Sequence, residues 1–276
     1  MSSFDEFCDL LGDGRRPLPL IALAAQVPRY ADSGCEPARV LEQVRTWAAR
    51  LAARVAADAS PAARLRLLNH FFFGELGFAG AQDDYYAPEN SYLHRVIERR
   101  RGLPITLSLL YMEVGRTAGL RLEGVSFPGH FLVRLTLNEG AAFIDAFNGG
   151  LSLSAQQLRE RLREKLPEAT AESLAPYLRP AGEREILARL LRNLKAIHLQ
   201  SQQWASALEV ASRLVAVLPD EPQERLDRAH LFERLECPRA AVADLVSYLS
   251  LQPSPSDAAE VRRRLARLQQ AASRLN

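Results

Sequence analysis

The chain has 276 residues, enough for one large domain or two ordinary ones, and its 47% hydrophobic and 25% charged content is that of an ordinary globular protein. Its 35 basic and 33 acidic side chains leave a formal charge of +2, too little to attract nucleic acid or a membrane surface by charge alone. No apolar run reaches the length of a membrane span, and no basic stretch followed by an apolar core stands at the start. Cys8, Cys35 and Cys237 lie far apart without Cys-x-x-Cys spacing, so neither a disulfide framework nor a zinc site is expected, and the reducing cytoplasm is the expected compartment.

Residues 1–65 read as helical packing material. Pro17 and Pro19 precede a short apolar helix with Leu20, Ile21, Leu23 and Ala24. Pro37 opens a second with Val40, Leu41, Val44, Trp47, Leu51 and Val55 at helical spacing, and 62–72 gives a third. Residues 74–90 change character: Gly74, Gly77 and Gly80 are followed by a polar, aromatic stretch from Asp83 to Asn90, which reads as a long loop. Asp83, Asp84 and Glu89 match no calcium-loop spacing, so no metal or other cofactor is expected. Asn90 or Ser91 is a natural cap for a helix over 92–98. The runs Arg99–Arg101 and Arg262–Arg264 read as solvated helix faces, and no nucleic-acid partner is expected.

The stretch 104–118 is apolar nearly all round, which predicts a buried helix. Pro104 is tolerated in its first turn, where the missing N–H would be unpaired anyway, and Gly119 is a natural stop. The period then switches to two. Strands are predicted over 122–127, 130–137 and 141–146, with a break at Pro128-Gly129 and a turn at 138–140; Ser154 caps a following helix to Leu166. A helix followed by antiparallel strands is an α+β arrangement. Residues 167–180 read as a linker, and helices follow from Glu183 to the end. There Pro219 and Pro253, Ala207 and Ala241, Ala211 and Leu245, and Ile197 and Leu231 each repeat at an offset of 34 residues, the tetratricopeptide period. A last helix is expected over 257–275.

His130 and Asp145 lie on one predicted hairpin. A carboxylate that accepts from an imidazole fixes its tautomer, the supporting half of a nucleophile–His–Asp triad. A three-residue turn would leave the two three positions out of direct register, so a bulge, a different turn or a diagonal pairing is needed. The nucleophile belongs at the start of a packed helix, where the dipole lowers a thiol's pKa, but the helix begins Gly102-Leu103-Pro104-Ile105-Thr106-Leu107-Ser108.

The segments Asp84–Leu93, Arg101–Ser108, Gly124–Val133 and Ile144–Phe147 together resemble the transglutaminase-like core of the bacterial SirB-type family, whose members join that core to tetratricopeptide repeats. The resemblance covers residues of about 69–165 directly and, with the repeats, most of the chain. It implies a transglutaminase-like, papain-like cysteine-protease-type core with antiparallel strands, followed by an all-α repeat module. The expected boundaries are 1–65 for a helical segment packed on the core, 66–166 for the core and 183–276 for the repeats. In active transglutaminase-like and papain-like enzymes the cysteine lies near the start of the central helix, a place that falls here on Pro104 or Ile105, while the histidine and aspartate fall on His130 and Asp145. The resemblance therefore implies a core that keeps the supporting pair and lacks the thiol.

The expected function is a non-catalytic binding or scaffold protein that holds a protein or peptide partner on residues 183–276. An enzyme reading rests on Thr106 and Ser108, hydroxyls in the first turns of the helix that would need His130 as a base. Against it stands the ordinary role of such hydroxyls, bonding back to their own helix. For His130 the competing role is structural. A third expectation, a regulator of gene expression acting through partners, comes from how the family has been named.

Overall fold

The computed structural model describes residues 2–12, 17–167, 174–252 and 256–273. The described chain forms two compact units, one from residues 12–190 and the other from the N-terminal helix α1 (Ser3–Leu11) together with the chain from Leu191 on. This divides the chain differently from the expected 1–65, 66–166 and 183–276.

In the first unit three helices come first: α2 (Leu20–Gln26), α3 (Pro37–Ala52) and α4 (Pro61–Asn69). The expected loop over 74–90 carries a strand of two residues, β1 (Ala79–Gly80), and ends in a 3-10 turn, Pro88–Ser91. Then come α5 (Leu93–Arg99), β2 (Arg101–Gly102) and α6 (Pro104–Arg116). Tyr92, not Asn90 or Ser91, stands at the N-cap of α5. Asn90 is fully buried instead, and its carbonyl accepts from Leu103 N at the mouth of α6.

As its composition predicts, α6 is the centre of this unit: Ile105, Leu107, Leu109, Leu110, Tyr111, Met112 and Val114 are all buried. It packs against α2, α3, α4 and α5, and Gly119 follows it at φ 72°, a conformation that only glycine adopts cheaply. Tyr111 donates to Asn69 Oδ1 at 2.6 Å and stacks among Phe72 and Phe73, which satisfies the one polar group of a large buried ring.

Beyond α6 the chain makes a four-stranded antiparallel meander: β3 (Leu122–Val125), β4 (Leu132–Thr136), β5 (Ala141–Asp145) and β6 (Leu151–Leu153). The β4–β5 connection is a four-residue loop, since Thr136 pairs with Ala141, rather than the expected three-residue turn. His130 precedes β4 in a bend. After β6 comes α7 (Ala155–Lys165), opened by a capping box in which Ser154 and Gln157 satisfy each other's backbone N–H.

Of the expected 167–180 linker, residues 168–173 lie outside the described residues. The rest is packed. The short α8 (Leu174–Tyr177) places Leu174 in a cluster with Val125, Phe127 and Leu158, and Ala181 N donates to Gly124 O. The next helix, α9 (Glu183–Gln200), has Ile186, Leu187 and Leu190 buried in this first unit, so the boundary falls inside a helix rather than ahead of it.

The second unit contains α10 (Trp204–Val217), α11 (Pro222–Arg234), α12 (Pro238–Leu251) and α13 (Ala258–Ser273). The 34-residue offset marks equivalent places: Ala207 and Ala241, and Ala211 and Leu245, are fully buried, and Ile197 and Leu231 nearly so. Pro253 and the end of the expected last helix lie outside the described residues. Arg228 grips Asp244 with two 2.7 Å hydrogen bonds, a fork that fixes α11 against α12.

Helix α1 belongs here because Phe7 is fully buried and Arg213 of α10, also fully buried, donates to Ser3 Oγ at 3.0 Å and lies against the Phe4 and Phe7 rings. A fragment of residues 183–276 is expected to be helical but to have lost that cover. Circular dichroism melts should show it unfolding at a lower temperature than the same unit in a chain that keeps α1; equal melting temperatures would remove α1 from the unit.

Candidate functional site

The β4–β5 register, continued one step past Val133 and Ile144, sets residue 132 opposite Asp145. His130 lies two residues further on, in a diagonal relation to Asp145 that a side chain of its length can bridge. It does so: His130 Nε2 is 2.8 Å from Asp145 Oδ1. The ring's Nδ1 is thereby left as the nitrogen for any other partner.

Asp145 is fully buried and its carboxylate is saturated. Oδ1 also accepts from the backbone N–H of Phe147 and of Asn148, both at 3.2 Å, while Oδ2 accepts from Asn148 Nδ2 and from Arg161 Nη1, both at 2.7 Å. Burial opposes ionisation here, but the His130 hydrogen bond and charge, with the Asn148 and Arg161 donors, outweigh it and hold the carboxyl well below the usual carboxylate range. The histidine is also held from behind. Arg189 Nη2 donates to the His130 carbonyl at 2.9 Å and Nη1 to Ser126 Oγ at 2.8 Å, which clamps both ends of the Pro128-Gly129 bend. The Phe147 ring stands edge-on to His130 and to Tyr85, with centroids 6.1 and 6.0 Å apart.

Arg161, Asn148 and Arg189 escape a reading of the sequence alone. Arg161 sits in a strongly polar helix, yet it belongs to the same stripe as the buried Leu158 and Leu162, and that spacing is the signal for an inward-facing arginine.

The other sequence candidates are placed less favourably for chemistry. Pro104 and Ile105, where a thiol would stand, are buried and apolar. Thr106 Oγ1 is within 2.9 Å of the Asn90 carbonyl and 3.1 Å of the Leu103 carbonyl, so its proton is bound at the helix mouth. Ser108 Oγ is buried with no hydrogen-bond partner, so it is not bonded to His130. Cys35 and Cys8 are not activated either. Burial pushes Cys35 up to about 11 and raises Cys8 as well, the opposite of what a reactive thiolate needs. Among the described residues no group of His, Cys, Asp and Glu has the arrangement of a metal site, and no helix is long and apolar enough to cross a membrane.

An apolar central helix under an antiparallel sheet, with a His–Asp pair at one end of the sheet's two central strands and paired helices after it, defines a transglutaminase-like core followed by a helical repeat module. Residues 38–192 match the transglutaminase-like superfamily and residues 194–266 the tetratricopeptide repeat. The "UPF0162 protein" of Xylella fastidiosa strain Temecula1 is 38% identical over 230 residues, 83% of this chain and 77% of that one. That of Pseudomonas aeruginosa is 32% identical over 255 residues, 91% and 89%. The chain therefore belongs to the SirB-type UPF0162 family, a transglutaminase-like domain joined to tetratricopeptide repeats. Human "F-box only protein 21" is 27% identical over 249 residues, 84% of this chain but 37% of that protein. Among solved structures, the crystal structure of menin is a distant likeness, at 10% identity and a TM-score of 0.35 over 90% of this chain and 68% of that one.

Proposed function

We propose that the protein is a non-catalytic scaffold: its core keeps the supporting pair of a transglutaminase-like site as a structural element, and its repeats hold a protein segment. Tetratricopeptide repeats are protein-interaction modules in general. What supports the finer reading is the start of α6, where Pro104 and Ile105 are buried and neither side chain can attack a carbonyl, although His130 and Asp145 are joined at 2.8 Å. The engaged Thr106 hydroxyl argues against the hydroxyl-based hydrolase or acyltransferase. A regulatory role in gene expression would act through whatever the repeats bind.

The test is chemical. The purified protein should incorporate no amine into glutamine peptides and hydrolyse no peptide or ester. His130→Ala should alter stability and leave these blank readings unchanged. An acyl-transfer or hydrolytic rate abolished by Ser108→Ala or Thr106→Ala and by His130→Ala alike would overturn the scaffold reading. Ile105→Cys asks whether the geometry could still activate a thiol: a regained rate would identify the lost nucleophile as the reason for silence.

A further inference from the structure

The two-residue pair β1–β2 carries more than its size indicates. Its parallel ladder runs from Ala79 N to the Arg100 carbonyl and from Ala81 N to the Gly102 carbonyl. Backbone groups alternate in direction along a strand, so the N–H and C=O of Gly80 point to the opposite edge, where no strand lies in this two-stranded sheet. Gly80 lines an open trough of about 750 Å³ together with its neighbours from Ala79 to Asp84, with Arg99 and Arg101, and with Phe147, Asn148 and Gly149. A Cβ on Gly80 would lie 2.7 Å from the Phe147 ring, so the absence of a side chain there lets the ring pack against one face of the strand.

Charge defines what would fit. Arg99 and Asp84, both on the wall, form an ion pair with each other. Arg101 is held at 3.1 and 2.9 Å by the carbonyls of Gly77 and Arg100, partners that fix its guanidinium without neutralising it. Asp83 is the remaining charged group of the lining.

From the free edge and the anchored cation we propose that this trough binds an extended segment of a partner protein as a third strand beside β1, with backbone hydrogen bonds to Gly80 and an acidic side chain against Arg101. Main-chain pairing at a sheet edge supplies affinity without demanding a fixed sequence, and the cation supplies the preference. This surface belongs to the core unit and borders the candidate site through Phe147 and Asn148, and it does not depend on whether His130 and Asp145 catalyse anything.

The probe is a blocked peptide, acetyl-Thr-Val-Glu-Val-Thr-amide, titrated to millimolar concentration into the full-length protein with the amide resonances of isotope-labelled glycine and the arginine side chains observed by NMR. The Gly80 amide and the Arg101 guanidinium should shift together, and exchange of the Gly80 amide should slow. Methylating the backbone nitrogens of the peptide should weaken binding about tenfold, the worth of one hydrogen bond or slightly more. Glu→Lys in the peptide, or Arg101→Gln in the protein, should weaken it severalfold while leaving the melting temperature of the protein unchanged. Absence of any shift at Gly80, shifts confined to other glycines, or equal binding by the methylated peptide would each overturn the proposal.

Discussion

Leu110→Ala should cost the core unit close to the upper end of the roughly 2–5 kcal/mol spanned by leucine truncations. Leu110 is fully buried in the middle of α6, a helix in contact with α2, α3, α4, α5 and the sheet, so the void has neighbours on all sides and no single element can relax into it. Leu109, one residue earlier, is nearly as buried but lines a cavity of about 300 Å³ with Leu18, Leu20, Leu41 and Val44. Water can already reach that side, so Leu109→Ala should cost less, toward about 2 kcal/mol. Urea melts followed by the fluorescence of Trp47, buried in this same unit, would measure both. Equal and small losses, below about half a kcal/mol, would mean that α6 is not the element on which this unit is built.

That contrast also marks what a sequence can and cannot disclose. The helix was legible because its apolar residues fill every face, a pattern only a buried helix tolerates. The repeats were legible because Ala207 and Ala241 must be small where helices meet, and an offset of 34 residues between two such positions survives in the letters. The pair β1–β2 was not legible, since two residues carry no period, and β6, at three residues, is nearly as silent. The arginine run 99–101 reads as one solvated patch but is split three ways. Arg99 pairs with Asp84, and Arg101 is bound by carbonyls. Arg100 adopts φ 56° past the end of α5 and lays its guanidinium over the Trp47 and Phe78 rings. The packing of α1 on Arg213 joins residues some two hundred positions apart, and no local pattern announces it.

At the candidate site the sequence disclosed the pair and concealed its support, and that support makes Asp145 the most sensitive polar position in the core. Asp145→Ala removes a fully buried carboxylate on which His130, Arg161, Asn148 and two backbone N–H groups converge. Breaking a buried ionic group by deleting one partner costs about 3–5 kcal/mol. The lower end is expected here, because Arg161 retains some exposure and can turn part of its charge to water. Asp145→Asn keeps the shape but presents an NH₂ to donors on one side, so it should recover only part of the loss. The pH dependence follows from the depressed carboxyl. Its folded value lies below that of the unfolded chain, near about 3.9, so its contribution is fully present above the unfolded value. It declines as the pH falls below about 4 and is lost as the pH passes down through the folded value. Subtracting the Asp145→Asn profile from that of the unaltered protein isolates this group from the exposed carboxylates that are also lowered, such as Asp32 and Glu75. The difference should be constant between about pH 5 and 4 and shrink below about 4. A difference that grows as the pH falls from about 5 to about 4 would mean that Asp145 is protonated in the folded protein above the unfolded value, and the pair with His130 would then not be the ionised supporting half of a triad.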